Sequence, residues 1–217
     1  MSETADPLDA IAVRILGALI EKEYATPDSY PLTLNALIAA CNQMSSRDPV
    51  MALDEATVLA SLEDLSRRGL VRSVHRNDSR ARRYRQALSD AMTLHPSETA
   101  AMCVLMLRGP QTAGEIRTRS GRLFEFRDIA HVDVTLDALM TRLTPLVVQL
   151  PRGTRQKEVR YAHLLAGEPQ IDPAEPVPAA DPAEPGRMDA LEQAVHELRT
   201  EVAELRARLE EFQREFQ

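Results

Sequence analysis

A chain of 217 residues with 44% hydrophobic content and a formal net charge of −7 has room for two small domains plus an extension. The absence of tryptophan and an aromatic content of 4% predict small aliphatic cores, each barely large enough to stand alone. No run approaches the ~20 apolar residues that cross a bilayer, and the start MSETADPLDA lacks a signal peptide's basic head and apolar stretch, so a cytoplasmic protein without membrane contact is expected.

Leu8 to Glu23 places Leu8, Ile11, Ala12, Ile15, Leu16, Leu19 and Ile20 at helical spacing, and Pro27 and Pro31 end the segment. Thr33 to Asn42 predicts a short second helix with Leu34, Leu37, Ile38 and Cys41 on one stripe. Asn42 and Gln43 stand where its last carbonyls need partners, and the polar turn QMSSRDP follows. Asp54 is the expected N-cap of a third helix reaching about Arg68, with Val58, Leu62 and Leu65 inward and Gly69 as its stop. LVRSVHRNDSRARRYRQAL then reads as a β-hairpin turning at NDS.

The order repeats. Ser97 to Arg108 predicts a helix, Gly109-Pro110 breaks it, and Thr112 with Glu115 forms a capping box for a short helix. Val132 to Leu143 predicts a third helix, and LVVQL with EVRYAHLL, joined by PRGTRQK, a second hairpin. Both hairpins end alike, Arg83-Tyr84 with Leu88 and Arg160-Tyr161 with Leu165, at an offset of 77 residues. The expected fold class is mainly α with small β-hairpins: two tandem winged helix-turn-helix domains over residues 1–90 and 91–166.

Residues 167–186, GEPQIDPAEPVPAADPAEPG, are expected to form an extended, Pro-rich acidic linker unable to form a core. Over 187–217, Met188, Val195, Val202, Leu209 and Phe216 fall at heptad a positions, with Leu191, Leu198, Leu205 and Phe212 at d. That pattern predicts a coiled-coil helix pairing two chains in parallel, so a homodimer is expected. Charge follows the same division: residues 1–166 carry 21 Lys+Arg against 20 Asp+Glu, and residues 167–217 carry 5 against 13. The acidic tail is therefore a candidate competitor for anything that binds basic residues of the body.

TPDSYP, YPLTLNALIAACNQMSSRDPVM, LRGPQT, LPRG and RYAHL stand in this order across about residues 8–166, and the chain resembles in them the YceH-like family of uncharacterised bacterial proteins. The resemblance implies tandem winged-helix domains in a cytosolic bacterial protein. It implies no known reaction and brings no catalytic residues.

Two functions from different classes are expected to compete. Arg67 to Arg85 holds Arg67, Arg68, Arg72, Arg76, Arg80, Arg82, Arg83 and Arg85, with His75 and one acid, Asp78. Arginines at a helix end and on its wing suit phosphate contacts, so double-stranded DNA is the expected partner. Ser45, Ser46 and Arg47 in the polar turn, with Arg152, Arg155 and Lys157 on the second wing, complete the candidate DNA-binding set; with Arg160, that wing is a milder copy of the first. Asp54, Glu55, Glu63 and Asp64 on the third helix, and Asp133 and Asp137 on its counterpart, oppose base reading by those helices. They favour the alternative, a protein-interaction adaptor using winged helices as ScpB-like proteins do.

An enzyme is not expected. No glycine-rich phosphate loop, zinc spacing or nucleophile–base arrangement stands out, and His75, His95, His131, His163 and His196 are scattered. No cofactor or metal is implied, and Cys41 and Cys103 read as buried reduced thiols.

Overall fold

The computed structural model describes residues 6–74, 82–151 and 158–169. Helix α1 (Ala10–Ala25) begins where Asp9 accepts the backbone N–H of Ala12 at 2.7 Å. Strand β1 (Leu32–Thr33) runs directly into α2 (Leu34–Cys41), whose N-cap Thr33 accepts from Ala36 N. Asp54 caps α3 (Glu55–Arg67) as expected, and Gly69, at a φ of 71° that favours glycine, ends it. Strands β2 (Val71–Val74) and β3 (Arg83–Gln86) form the hairpin, and β1 adds to its far side, giving the antiparallel order β1-β3-β2. A single helical turn, α4 (Leu88–Ala91), follows.

The same order then recurs in α5 (Pro96–Arg108), α6 (Ala113–Arg119), α7 (Ile129–Met140) and the antiparallel pair β4 (Val147–Gln149) and β5 (Tyr161–His163). The echo of Arg-Tyr in the two hairpins has a physical basis. Tyr84 pairs with Leu32, and Tyr161 forms an isolated bridge with Gln111. In each repeat the preceding arginine donates to the carbonyl of the proline before that bridge, Arg83 to Pro31 and Arg160 to Pro110, both at 2.8 Å. Thr33 and Thr112 then cap the next helix, the latter in the predicted capping box with Glu115.

Composition predicts separate small cores; the described residues instead share one contiguous hydrophobic core. The reason lies in α1 and α5, which are apolar on nearly every side and so must be covered all round. Residues 12–20 of α1 and 98–107 of α5 are continuously buried. The two helices approach closely at Gly17, where an added Cβ would stand 2.8 Å from Leu107 Cδ2, and the Cys103 thiol donates to the Gly17 carbonyl at 3.4 Å.

Other boundaries shift for local reasons. Helix α7 starts three residues before the expected Val132 because Asp128 accepts from His131 N, and it ends at Met140, leaving Leu143 fully exposed. The four-residue α4 is too short to show periodicity in sequence. The NDS turn, most of PRGTRQK, the linker beyond Pro169 and the heptads of 187–217, including Leu191, Val195, Leu198, Val202, Leu205, Leu209 and Phe212, lie outside the described residues. Among the described residues, no helix is long and apolar enough to cross a membrane. Nor do three or more His, Cys, Asp or Glu there group to hold a metal ion.

Candidate polyanion interface

Within the turn between α2 and α3, whose Met44, Ser45, Asp48, Pro49 and Val50 are exposed, Arg47 is buried and turned inward rather than toward a ligand. Arg47, expected to meet phosphate, has a side chain with no solvent exposure. It makes a two-pronged ion pair with Glu21 of α1 (Nη2–Oε2 2.6 Å, Nη1–Oε1 3.1 Å). It also donates to the Ala40 carbonyl at the end of α2, through Nε at 3.1 Å and Nη2 at 2.8 Å. Burial raises the Glu21 pKa, but the hydrogen bonds and charge of Arg47, with help from Lys22, outweigh it and leave the carboxyl below its usual range. Arg47 is therefore a structural group, removed from the candidate contacts by its own burial.

The carbonyls at the end of α2 are not partnered by the Asn42 and Gln43 side chains, as the sequence predicts, but by arginines. Arg14, 1% exposed in the middle of α1, donates to Cys41 O at 3.1 Å and to Pro49 O at 2.5 Å. Asn42 instead clasps the backbone of Leu53 in both directions, at 2.9 and 2.8 Å, and Gln43 accepts from Arg47 at 3.1 Å. The available signal was Arg14 itself. A charged residue between Val13 and Ile15, flanked by the apolar residues of α1 from Ala12 to Ile20, needs buried acceptors. Ser45 is exposed, whereas the Ser46 hydroxyl accepts from Arg108 at 2.6 Å. The Cys41 thiol is pushed up to about 12, mainly by burial, which leaves it protonated and unreactive near neutrality.

At the end of α3, Arg67 and Arg68 share one carboxylate, Asp64, at 3.0 and 2.7 Å, and Arg68 also donates to Asp6 O. Part of their charge is thus neutralised within the chain. The three-stranded sheet is different. Residues directly opposite in an antiparallel pair project to the same face, and Arg72 stands opposite Arg85, with Val74 and Thr33 both opposite Arg83. One face therefore carries Arg72, Arg83 and Arg85, while Val71, Tyr84 and Gln86 on the other face are buried.

Arg72 and Arg82 are exposed, and Arg83 and Arg85 are half-buried. Among the described residues, no carboxylate forms an ion pair with any of these four. Arg83 spends one N–H on Pro31, so it serves the fold as well as the face. In the second repeat the positions matching Arg72 and Arg85 are Val148 and Ala162, and Ala162 is buried. Arg76, Arg80, Arg152, Arg155 and Lys157 lie outside the described residues.

These residues define a mainly helical protein with small antiparallel sheets that gathers guanidinium groups on one face of its first sheet. The chain belongs to the family described as "Protein of unknown function, DUF480", whose model matches residues 8–156. It is 48% identical over 217 residues to a UPF0502 protein of Geobacter sulfurreducens, covering 97% of this chain and 98% of that one. A UPF0502 protein of Chromobacterium violaceum is 45% identical over 202 residues (93% and 92% covered), and one of Azoarcus is 43% identical over 212 (96% and 94%).

Proposed function

We propose that the chain is a tandem winged-helix protein whose first repeat grips the phosphate backbone of double-stranded DNA with the outer face of its three-stranded sheet. The winged-helix name and the likeness to YceH-like proteins are part of this reading. The observation that carries it is the cross-strand pair Arg72–Arg85. Like charges directly opposite each other destabilise a sheet, and a polyanion laid across them reverses the sign of that interaction. Glu55 and Glu63 on the exposed side of α3 argue against base contacts, so affinity comes from phosphates with little sequence preference. Pairing of two chains through residues 187–217 would bring two such faces to one duplex and raise weak contacts by effective concentration.

Fluorescence anisotropy with two labelled duplexes of unrelated sequence tests the reading. The two bind equally, and the double substitution R72S/R85S weakens both at least about tenfold, the loss of two charge-assisted contacts. Affinity unchanged by the double substitution refutes it.

A second reading, the adaptor, has one observation in its favour. Helix α7 exposes Val134 and Ile129, 67% and 51% accessible, beside Asp133 and Asp137, which suits a polypeptide better than phosphate. In nuclease-treated extract, V134E would release a bound polypeptide if this face carries the function.

A further inference from the structure

Helices α3 and α7 hold the same place in the two repeats and start alike. Asp54 and Asp128 each cap their helix by accepting the backbone N–H three residues on, from Thr57 and His131. Counted from those caps, Val58, Leu62 and Leu65 of α3 match Val132, Leu136 and Leu139 of α7, and all six are buried. The inward faces are therefore equivalent. The outward faces are not. Ile129 stands where α3 has Glu55, and Val134 where it has Ala60, all four of them exposed. Since α3 folds without a large apolar side chain at either place, packing of the repeat does not account for Ile129 and Val134.

The helical period sets these groups side by side. Ala130, Val134 and Ala138 follow at successive turns along one row, and Ile129, Asp133 and Asp137 along the adjacent row. Asp133 is partly exposed and the other five are exposed. The alanines on either side of Val134 let a second helix approach closely, because the distance between packed helices follows the side chains at their contact. Helix α7 contains no lysine or arginine, and its His131 ring packs edge-on against Phe124 and Phe126, with centroids at 5.6 and 5.3 Å. Among the described residues, no ion pair engages Asp133 or Asp137. The face combines apolar area with two unpaired carboxylates.

We propose that the outer face of α7 docks an amphipathic helix of another protein, with apolar side chains against Ile129 and Val134 and lysines or arginines against Asp133 and Asp137. This names the partner in the adaptor reading and rests on that reading. Charge complementarity selects the occupant. The two carboxylates repel a phosphate backbone, and a two-fold pairing of α7 with a second copy of itself would set the same carboxylates against each other. A helix suits rows of residues at one-turn spacing, as in other helix-docking surfaces. The site uses no residue of the arginine face on the first sheet.

Photo-crosslinking tests the site. The crosslinker p-benzoylphenylalanine replaces the exposed Thr141, one turn beyond Asp137, in the full chain in its native cells. Mass spectrometry of the adduct identifies one polypeptide segment that reads as a helix with lysine or arginine beside its apolar stripe. D133K/D137K lowers the yield of that adduct at least about tenfold, and D133N/D137N, which keeps the shape of both side chains, gives a smaller loss. A synthetic peptide of the segment binds the purified full chain in fluorescence anisotropy. D133K/D137K weakens this binding at least about tenfold, and a peptide with its bases changed to glutamate regains it. An adduct to a segment without basic residues, or one undiminished by both double substitutions, overturns the proposal and leaves the adaptor reading standing. No adduct beyond that from the same crosslinker at the exposed Glu63 of α3, or an adduct to nucleic acid, overturns both.

Discussion

Replacing Glu21 by glutamine tests how the α2–α3 turn is held. The substitution keeps the size and one acceptor of Glu21 but leaves Arg47, whose side chain is wholly buried, without its counter-charge. Breaking a buried ion pair by removing one partner costs about 3–5 kcal/mol. Glu21 is 20% exposed, and Arg47 keeps the carbonyls of Ala40 and Ser46 and the amide oxygen of Gln43. The cost here therefore falls lower, at about 2 kcal/mol. With a urea m-value of about 2 kcal/mol/M, the midpoint falls by about 1 M at unchanged slope.

The pH dependence adds a second signature. The folded-state pKa of Glu21 lies below its ordinary value of 4.5, so its contribution is complete above that pH and is lost as pH falls through the folded value. The difference between wild type and E21Q is therefore constant near neutrality and narrows in acid. Equal midpoints at pH 7, followed by circular dichroism in urea, would refute the buried-pair argument; so would a gap that persists undiminished at low pH.

Three further outcomes follow from burial. Gly17→Ala forces a Cβ to 2.8 Å from Leu107 Cδ2 and 3.3 Å from Met106 Cβ in the shared core, so it destabilises the chain by about 1–3 kcal/mol in the same urea assay. If the repeats packed as separate cores, this substitution would be neutral. Cys41 and Cys103 are both buried with raised pKa values, so neither reacts with a thiol reagent at pH 8 until denaturant is added; fast labelling of the native chain would contradict their placement. Burial lowers the His163 pKa to about 4 from 6.5, so the unfolded chain takes up a proton first and stability falls as pH drops between those values. His163→Gln flattens stability across that window, and an unchanged pH profile would show that His163 titrates normally.

The repeat was legible in sequence because its parts are local. Apolar periodicity marks α1 and α3, Asp54 and Gly69 bracket one helix, and the Thr112–Glu115 box opens another. The Arg-Tyr echo carried more than it first showed, since each arginine closes a backbone bond to a proline that lies far back in sequence. What sequence did not reveal was long-range. Arg14 and Arg47 meet the end of α2 only once α1 is packed against it, and a reading of exposed charge therefore counts Arg47 as a surface group. The merging of the cores likewise depends on α1 meeting α5, a contact between segments 86 residues apart at Gly17 and Cys103. The opposition of Arg72 and Arg85 depends on hairpin register, which residue counting alone leaves free by one step.

The most direct measurement is the salt dependence of duplex affinity for wild type and R72S/R85S, plotted as log K against log salt concentration. A guanidinium face that displaces counterions gives a steep negative slope in the wild type, and the double substitution makes it shallower by about 2. Parallel slopes, or affinity indifferent to salt, would contradict a phosphate-gripping sheet.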